Sequence, residues 1–306
     1  MRFATLLLLC SLGAQGQVFQ MSKEDLIRYT AKNPFPRSDD GRPRVPDEML
    51  KRMQDLSIEE IWAVLPNKGY INQFEGNWRL LHPERKLIGR VVTAQFMPMR
   101  PDVNEVIAAD GQKKGNHGGQ NQWVIDILKP GDVMVVDLFG KIEDGTFVGD
   151  NLAEAIHSAT GTGLVVDGAI RDVDGIFPID MPVYMRGSHP SALRNVMLTG
   201  VNIPIRIGKA TVMPGDIVFG DRGGLYFIPP QFVEEILDKA DVTHLHDEWT
   251  KNKFIQSKGK YKSSDLYGYP RLPELRDEYE AFLKSKLGPE RYEKYRKSMA
   301  AERRQP

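Results

Sequence analysis

Gly161-Thr162-Gly163-Leu164-Val165-Val166-Asp167-Gly168-Ala169-Ile170-Arg171-Asp172 reads as an apolar strand whose exit turn stops at an adjacent cation and anion. In layered α/β folds, strand ends are where polar groups are held rigidly over a ligand. A second acid, Asp150, lies upstream in Phe147-Val148-Gly149-Asp150-Asn151-Leu152-Ala153. Together the two stretches point to a small anion and a divalent metal held between two loops.

The pattern around this strand is layered. Residues 133–137 (Val-Met-Val-Val-Asp) predict a buried strand, 152–160 a helix, 174–176 the start of a further helix or turn, and 181–186 another short strand. Short apolar strands alternating with short helices indicate an α/β domain. Residues 203–207 and 217–221 keep strand character, and the turn Pro214-Gly215-Asp216 between them predicts a β-rich closing section. Upstream, the β-branched run 87–96 predicts a strand. A polar loop over 110–122, carrying Lys113, Lys114, His117 and Gly118-Gly119, follows it, and then a short helix over 123–128. No Gly-rich dinucleotide turn and no phosphate loop with its lysine is present.

The ends of the chain have a different composition. Arg2, the apolar stretch 3–9 and the small residues Ala14 and Gly16 predict a signal peptide over 1–16, with the mature chain starting near Gln17 and the protein periplasmic or secreted. Cys10, the sole cysteine, leaves with that segment. Residues 17–55, rich in Pro and charge, read as an N-terminal arm. Ser57-Ile58-Glu59-Glu60 has the spacing of a capping box at a helix start. A main domain over 56–240 and a C-terminal extension over 241–306 complete the organisation. In the extension, Leu275, Tyr279, Phe282 and Leu283 have helical spacing.

Lys plus Arg and Asp plus Glu both count 41, which offers no global electrostatic reason for nucleic-acid binding. No segment beyond the signal peptide is apolar for long enough to form a stable membrane span.

Taken in order, Pro130-Gly131-Asp132-Val133 through Asp137, Gly149-Asp150, Val166 through Asp172, Pro182-Val183 with Arg186-Gly187, and Pro214-Gly215-Asp216 through Gly224 resemble the RraA-like family. That family includes the 4-hydroxy-4-methyl-2-oxoglutarate/4-carboxy-4-hydroxy-2-oxoadipate aldolases and non-enzymatic regulators of ribonuclease E. The resemblance implies a swivelling β/β/α domain over 56–240 and assembly as a homotrimer or hexamer. In the aldolase branch it implies Mg²⁺ or Mn²⁺ with Asp172 as the direct ligand, Asp150 orienting water beside the metal, and Arg171 beside the substrate carboxylate or ketone.

The chemistry suits these residue types. A hard divalent cation takes carboxylate, substrate oxygens and water, and a planar, permanently charged guanidinium matches a carboxylate. Gly149 lets a ligand approach its peptide closely, and the amides of Asp150, Asn151 and Leu152 precede a helix and can donate to an anion. The same residues also fit plainer roles, Arg171 and Asp172 as a surface ion pair and Asp150 or Asn151 as a helix cap.

The implied reaction is cleavage of a 4-hydroxy-2-keto acid to pyruvate and a carbonyl product, with oxaloacetate decarboxylation as a side activity. The small anionic substrate is a keto acid, or a sugar acid handled by a lyase of the same enolate chemistry. The alternative is a non-catalytic extracytoplasmic ligand-binding or regulatory protein. Two features depart from the family pattern. Residues 139–146 lengthen the turn before Gly149, and Thr243-His244-Leu245-His246-Asp247-Glu248-Trp249 offers imidazoles and carboxylates for a solvated or interface role, Glu248 being a candidate acid supplied to a neighbouring subunit's metal.

Overall fold

Residues 19–302 are described by a computed structural model, with side chains to 297. The expected signal peptide and the mature start at Gln17 lie outside the described residues. Helices α1 (Lys23–Tyr29), α2 (Asp47–Arg52) and α3 (Ile58–Trp62) precede strands β1 (Phe74–Glu75), β2 (Arg79–Leu81) and β3 (Leu87–Pro98). Helices α4 (Pro101–Lys113) and α5 (Gln120–Ile125) lead into β4 (Asp132–Thr146), α6 (Asp150–Thr160), β5 (Leu164–Ile170), α7 (Val173–Ile176) and β6 (Val183–Ser188). Strands β7 (Val196–Val201), β8 (Ile205–Ile207), β9 (Ala210–Val212), β10 (Ile217–Asp221) and β11 (Gly224–Ile228) follow. Helices α8 (Val233–Ser257), α9 (Ser263–Leu266) and α10 (Pro273–Glu302) close the chain.

The chain forms two units, one of residues 19–50 and Ile71–Gln231, the other of Lys51–Tyr70 and 232–302. In the first, the main sheet runs β1-β11-β10-β3-β4-β5-β6-β2, with β7 paired to β3. Its centre, β3 to β6, is parallel. All seven residues of β5 are buried, because both faces of the sheet are covered. Leu164, Val166 and Ile170 pack with Val124, Ile156 and Ile176 of the helices α5, α6 and α7. Val165 points the other way, to Ile205, Ile207 and Val212 of the β8–β9 hairpin. These layers are the expected β/β/α arrangement.

The N-terminal arm is tied to this sheet by buried arginines. Arg42 reaches both oxygens of Asp132 at 3.1 and 3.4 Å and holds Asp40 at 2.7 Å. Arg90 donates to the carbonyl of Val45 and pairs with Asp47. A guanidinium so enclosed is stable only with such partners.

Three sequence expectations are corrected. The polar loop over 110–122 is mostly helix: α4 runs to Lys113, a short turn follows with Gly115 and Gly118 at positive φ, and α5 already begins at Gln120. Pro101 suits the first turn of α4, and Gly111 leaves room for the Trp123 ring, so the polar composition records an exposed helix face. The helix expected over 123–128 therefore starts three residues earlier and ends at Ile125. Residues 139–146 are a continuation of β4, not a lengthened turn. Only Lys141 and Thr146 among them pair with β5, across two register shifts, so the extra residues bulge from the strand, with Phe139, Gly140 and Asp144 at positive φ.

The second unit is helical. Glu60 accepts from the Ser57 amide at 2.7 Å, the carboxylate half of the expected cap, and Tyr70 meets Phe232 edge to face at 4.9 Å. Its core gathers Trp249, Leu266, Leu275, Tyr279, Leu283, Leu287 and Tyr292. Leu275, Tyr279 and Leu283 are buried as their spacing predicts, and Phe282 is half-buried against them. Gly288, at φ 74°, and Pro289 break α10 into two helical pieces.

Candidate functional site

At the carboxyl edge of the parallel strands, β4 ends next to β5. The amide of Phe147 donates to Ala169, and that of Arg171 to Val148, at 2.9 and 3.0 Å. Gly149 then caps α6 with extended backbone, and Asp150 is the first helical residue. The helix therefore begins two residues before the expected 152, which puts Asp150, Asn151 and Leu152 all in its first turn. Amides at such a position have no acceptor within the helix. The Asn151 amide is taken by Asp150 Oδ1 at 2.8 Å, so the capping role and an anion-facing role are divided among neighbouring residues.

The chain leaves β5 through Arg171 and turns sharply at Asp172, whose backbone is left-handed at φ 53° and ψ 43°. An aspartate tolerates this region better than bulkier residues. Its carbonyl accepts from Gly175 and Ile176, starting α7. Arg171 Nε lies 3.5 Å from Asp172 Oδ2, and the two side chains are 44 and 43% exposed. A contact this long between half-exposed groups is a weak pair, so both remain free for a ligand.

Gly149 joins the two loops. A β-carbon placed there would overlap Asp172 Oδ2 and sit 3.1 Å from Arg171 Nε. A β-carbon on Gly175 would lie 2.9 Å from Asp150 Oδ2, so Asp150 rests against the first turn of α7. Gly149, Asp150, Arg171 and Asp172 thus converge, with Asn151 and Leu152 in the same helical turn. Continuation of β4 through 139–146 leaves this convergence in place.

The donor set suits a hard divalent ion better than zinc. Among the described residues no group of three or more His, Cys, Asp or Glu side chains is placed to hold a metal. Mg²⁺ and Mn²⁺ accept one or two carboxylates with water and substrate oxygens as the remainder. Asp172 is open to such an ion, with Asp150 beside it.

The acidic and imidazole residues of the C-terminal extension lie on α8 of the second unit. His244 and His246, two residues apart on a helix, face different partners. His244 Nε2 is 2.8 Å from Glu60, and His246 packs against Tyr279, its pKa lowered by burial. Glu248 pairs with Lys286 at 3.1 Å.

His189 is a residue the sequence reading missed. Its amide donates to Ile170 at 3.1 Å, which sets it beside Arg171 on the next strand exit. A lone histidine before a proline gives no periodic signal, and only the pairing of β5 with β6 reveals its position.

The RraA-like family profile, described as Aldolase/RraA, matches residues 62–226. A Halalkalibacterium halodurans protein named "Putative 4-hydroxy-4-methyl-2-oxoglutarate aldolase" is 34% identical over 133 residues, 42% of this chain and 63% of that protein. Protein DlpA of Legionella pneumophila is 28% identical over 243 residues, 78% of this chain and 36% of DlpA. The chain thus spans less than two thirds of either relative. The crystal structure of Streptomyces coelicolor RraAS2, described as an unusual member of the RNase ES inhibitor RraA family, superimposes with a TM-score of 0.58 at 26% identity. That match covers 70% of this chain and 100% of RraAS2.

Proposed function

Because this chain belongs to the RraA-like family, we propose that it is a divalent-metal-dependent aldolase that cleaves a 4-hydroxy-2-keto acid to pyruvate and a second carbonyl compound. The observation that carries this reading is the convergence of Arg171, Asp172 and the first turn of α6 around Gly149. The Halalkalibacterium relative supports the reaction class.

In this reading the carboxylate of the keto acid lies against the first amides of α6, where N–H groups and the helix dipole favour an anion. Arg171 faces the ketone. Loss of the C4 hydroxyl proton lets the C3–C4 bond break; its electron pair forms the pyruvate enolate, and C4 becomes the new carbonyl. The guanidinium of Arg171 stabilises the negative charge growing on the enolate oxygen, more strongly than it stabilises the neutral ketone. Asp172 would hold Mg²⁺ or Mn²⁺, which would supply Lewis-acid stabilisation of the same charge. Asp150 orders water for proton transfer, and protonation at C3 releases pyruvate. Loss of CO₂ from oxaloacetate gives the same enolate and is the expected side activity.

A second reading, a regulator that binds the ligand without turning it over, draws on the similarity to RraAS2. An export segment over 1–16, leading to the periplasm or cell exterior, and assembly as a homotrimer or hexamer belong to the proposal. N-terminal sequencing of the mature chain and light scattering test them. The decisive experiment is a mass-spectrometric time course with Mg²⁺ or Mn²⁺ and a panel of 4-hydroxy-2-keto acids, aldonic acids and oxaloacetate, with chelator controls. Metal-dependent pyruvate is the expected product. Intact keto acids with measurable binding favour the regulator.

A further inference from the structure

His189 stands at the third exit in a row. Strands β4, β5 and β6 are adjacent and parallel, and their chains leave the same edge at Gly149, Arg171 and His189. The ring of His189 is oriented by its own loop. Its Nδ1 accepts from the Ser191 amide at 3.2 Å and lies 2.9 Å from Ser191 Oγ. That hydroxyl in turn accepts from the Asp144 amide at 2.7 Å, so its hydrogen is free for Nδ1. A nitrogen that accepts an amide hydrogen carries none itself, and the neutral ring therefore has its hydrogen on Nε2. Nε2 has no protein partner among the described residues. Pro190 stiffens the turn that holds this arrangement.

We propose that His189 is a substrate-binding residue, its Nε2–H donating to an oxygen at the distal end of the keto acid. This rests on the aldolase reading for the location of the keto-acid end. With strands about 4.8 Å apart, the exits flanking β5 are separated by about 10 Å. A five-carbon dicarboxylate spans about 5 Å between its terminal carbons, long enough to run from the α6 side past Arg171 toward the His189 exit. A three-carbon acid such as pyruvate reaches the α6 and Arg171 side only. Selection for a second oxygen-bearing group two or more carbons beyond the ketone is the consequence.

Two substitutions separate this role from a structural one. In His189→Asn the Oδ1 takes the place of Nδ1 and keeps the Ser191 bond, but the Nε2–H is lost. In His189→Gln the side-chain amide restores an N–H near the Nε2 position and gives up the Ser191 bond. Full-length mature protein with Mg²⁺ is titrated calorimetrically with 2-oxoglutarate, which lacks the cleavable hydroxyl, and with pyruvate. The expected result is roughly tenfold weaker 2-oxoglutarate binding by the Asn variant, little change for pyruvate, and recovery in the Gln variant. The reverse order of the two variants, or equal loss for both acids, assigns His189 to loop structure and overturns the proposal. Nitrogen-labelled histidine NMR of the unsubstituted protein gives a second measure: Nε2 shifts with 2-oxoglutarate but not with pyruvate, and an unmoved Nε2 also overturns it. Binding that follows this pattern without any cleavage leaves His189 in its role and removes the aldolase reading. A protein that binds neither acid removes both.

Discussion

Gly149 and Asp172 come so close that a β-carbon on the glycine would overlap the carboxylate, although 22 positions separate them in the chain. The glycine is thus required by contact, since its backbone at φ −108° and ψ −168° is open to any residue. Gly149→Ala should push Asp172 and Arg171 away from the first turn of α6. Cleavage of the keto acid should fall by roughly two orders of magnitude, the usual size of a displaced charge-stabilising group. Thermal unfolding should change little, because both displaced side chains are half-exposed. An alanine variant of full activity would show that the loops do not act together.

Asp172→Ala and Arg171→Ala should differ in kind. The first removes the proposed ligand, so Mn²⁺ binding followed by electron paramagnetic resonance should weaken at least tenfold and turnover should be lost. The second should retain most of the Mn²⁺ affinity while kcat falls. Retained turnover in both would move the chemistry elsewhere.

Asp216 is buried, and burial pushes its pKa up to about 7, against a bond from the Met213 amide that favours the anion. An acid whose folded pKa exceeds its unfolded value of about 3.9 stabilises the fold most below pH 4 and loses that contribution as pH rises through 7. The loss amounts to about 4 kcal/mol when complete. Asp216→Asn does not ionise and keeps an acceptor for Met213. Calorimetric Tm measured from pH 4 to 8 should therefore fall more steeply for the natural sequence than for the variant.

Arg42→Ala leaves Asp132 buried at the start of β4 without its bidentate partner. A cost of about 3–5 kcal/mol is expected from an uncompensated buried charge. Urea unfolding measures it, and the double variant Arg42→Met, Asp132→Leu should recover part of the loss.

In the second unit, Gly288 has φ 74° and ψ 170°, a region open almost only to glycine. Gly288→Ala should cost about 1–3 kcal/mol or straighten α10. A drop in Tm, or increased helical circular dichroism, distinguishes the two. An unchanged Tm together with unchanged helical circular dichroism would show that Gly288 carries no such strain.

The strands at the centre were legible because short apolar, valine-rich runs such as 164–166 and 133–136 are buried on both faces and tolerate little else. Gly149, Arg171 and Asp172 were legible as residue types at strand exits. Residues 139–146 were not, since their glycines and charges look like a turn; pairing of Lys141 and Thr146 with β5 and the bond to Ser191 keep the segment bulged along β4. The spacing of His244 and His246 does not select their partners, and α8 turns the two imidazoles toward Glu60 and Tyr279.

The sequence by itself determined the layered α/β class and the chemical inventory of the site, because burial patterns and charge are local properties of the chain. Tertiary structure alone decided which of those groups meet. Parallel pairing of β4, β5 and β6 sets Gly149, Arg171 and His189 side by side across hydrogen bonds between residues far apart in the chain, and no local periodicity encodes that neighbourhood.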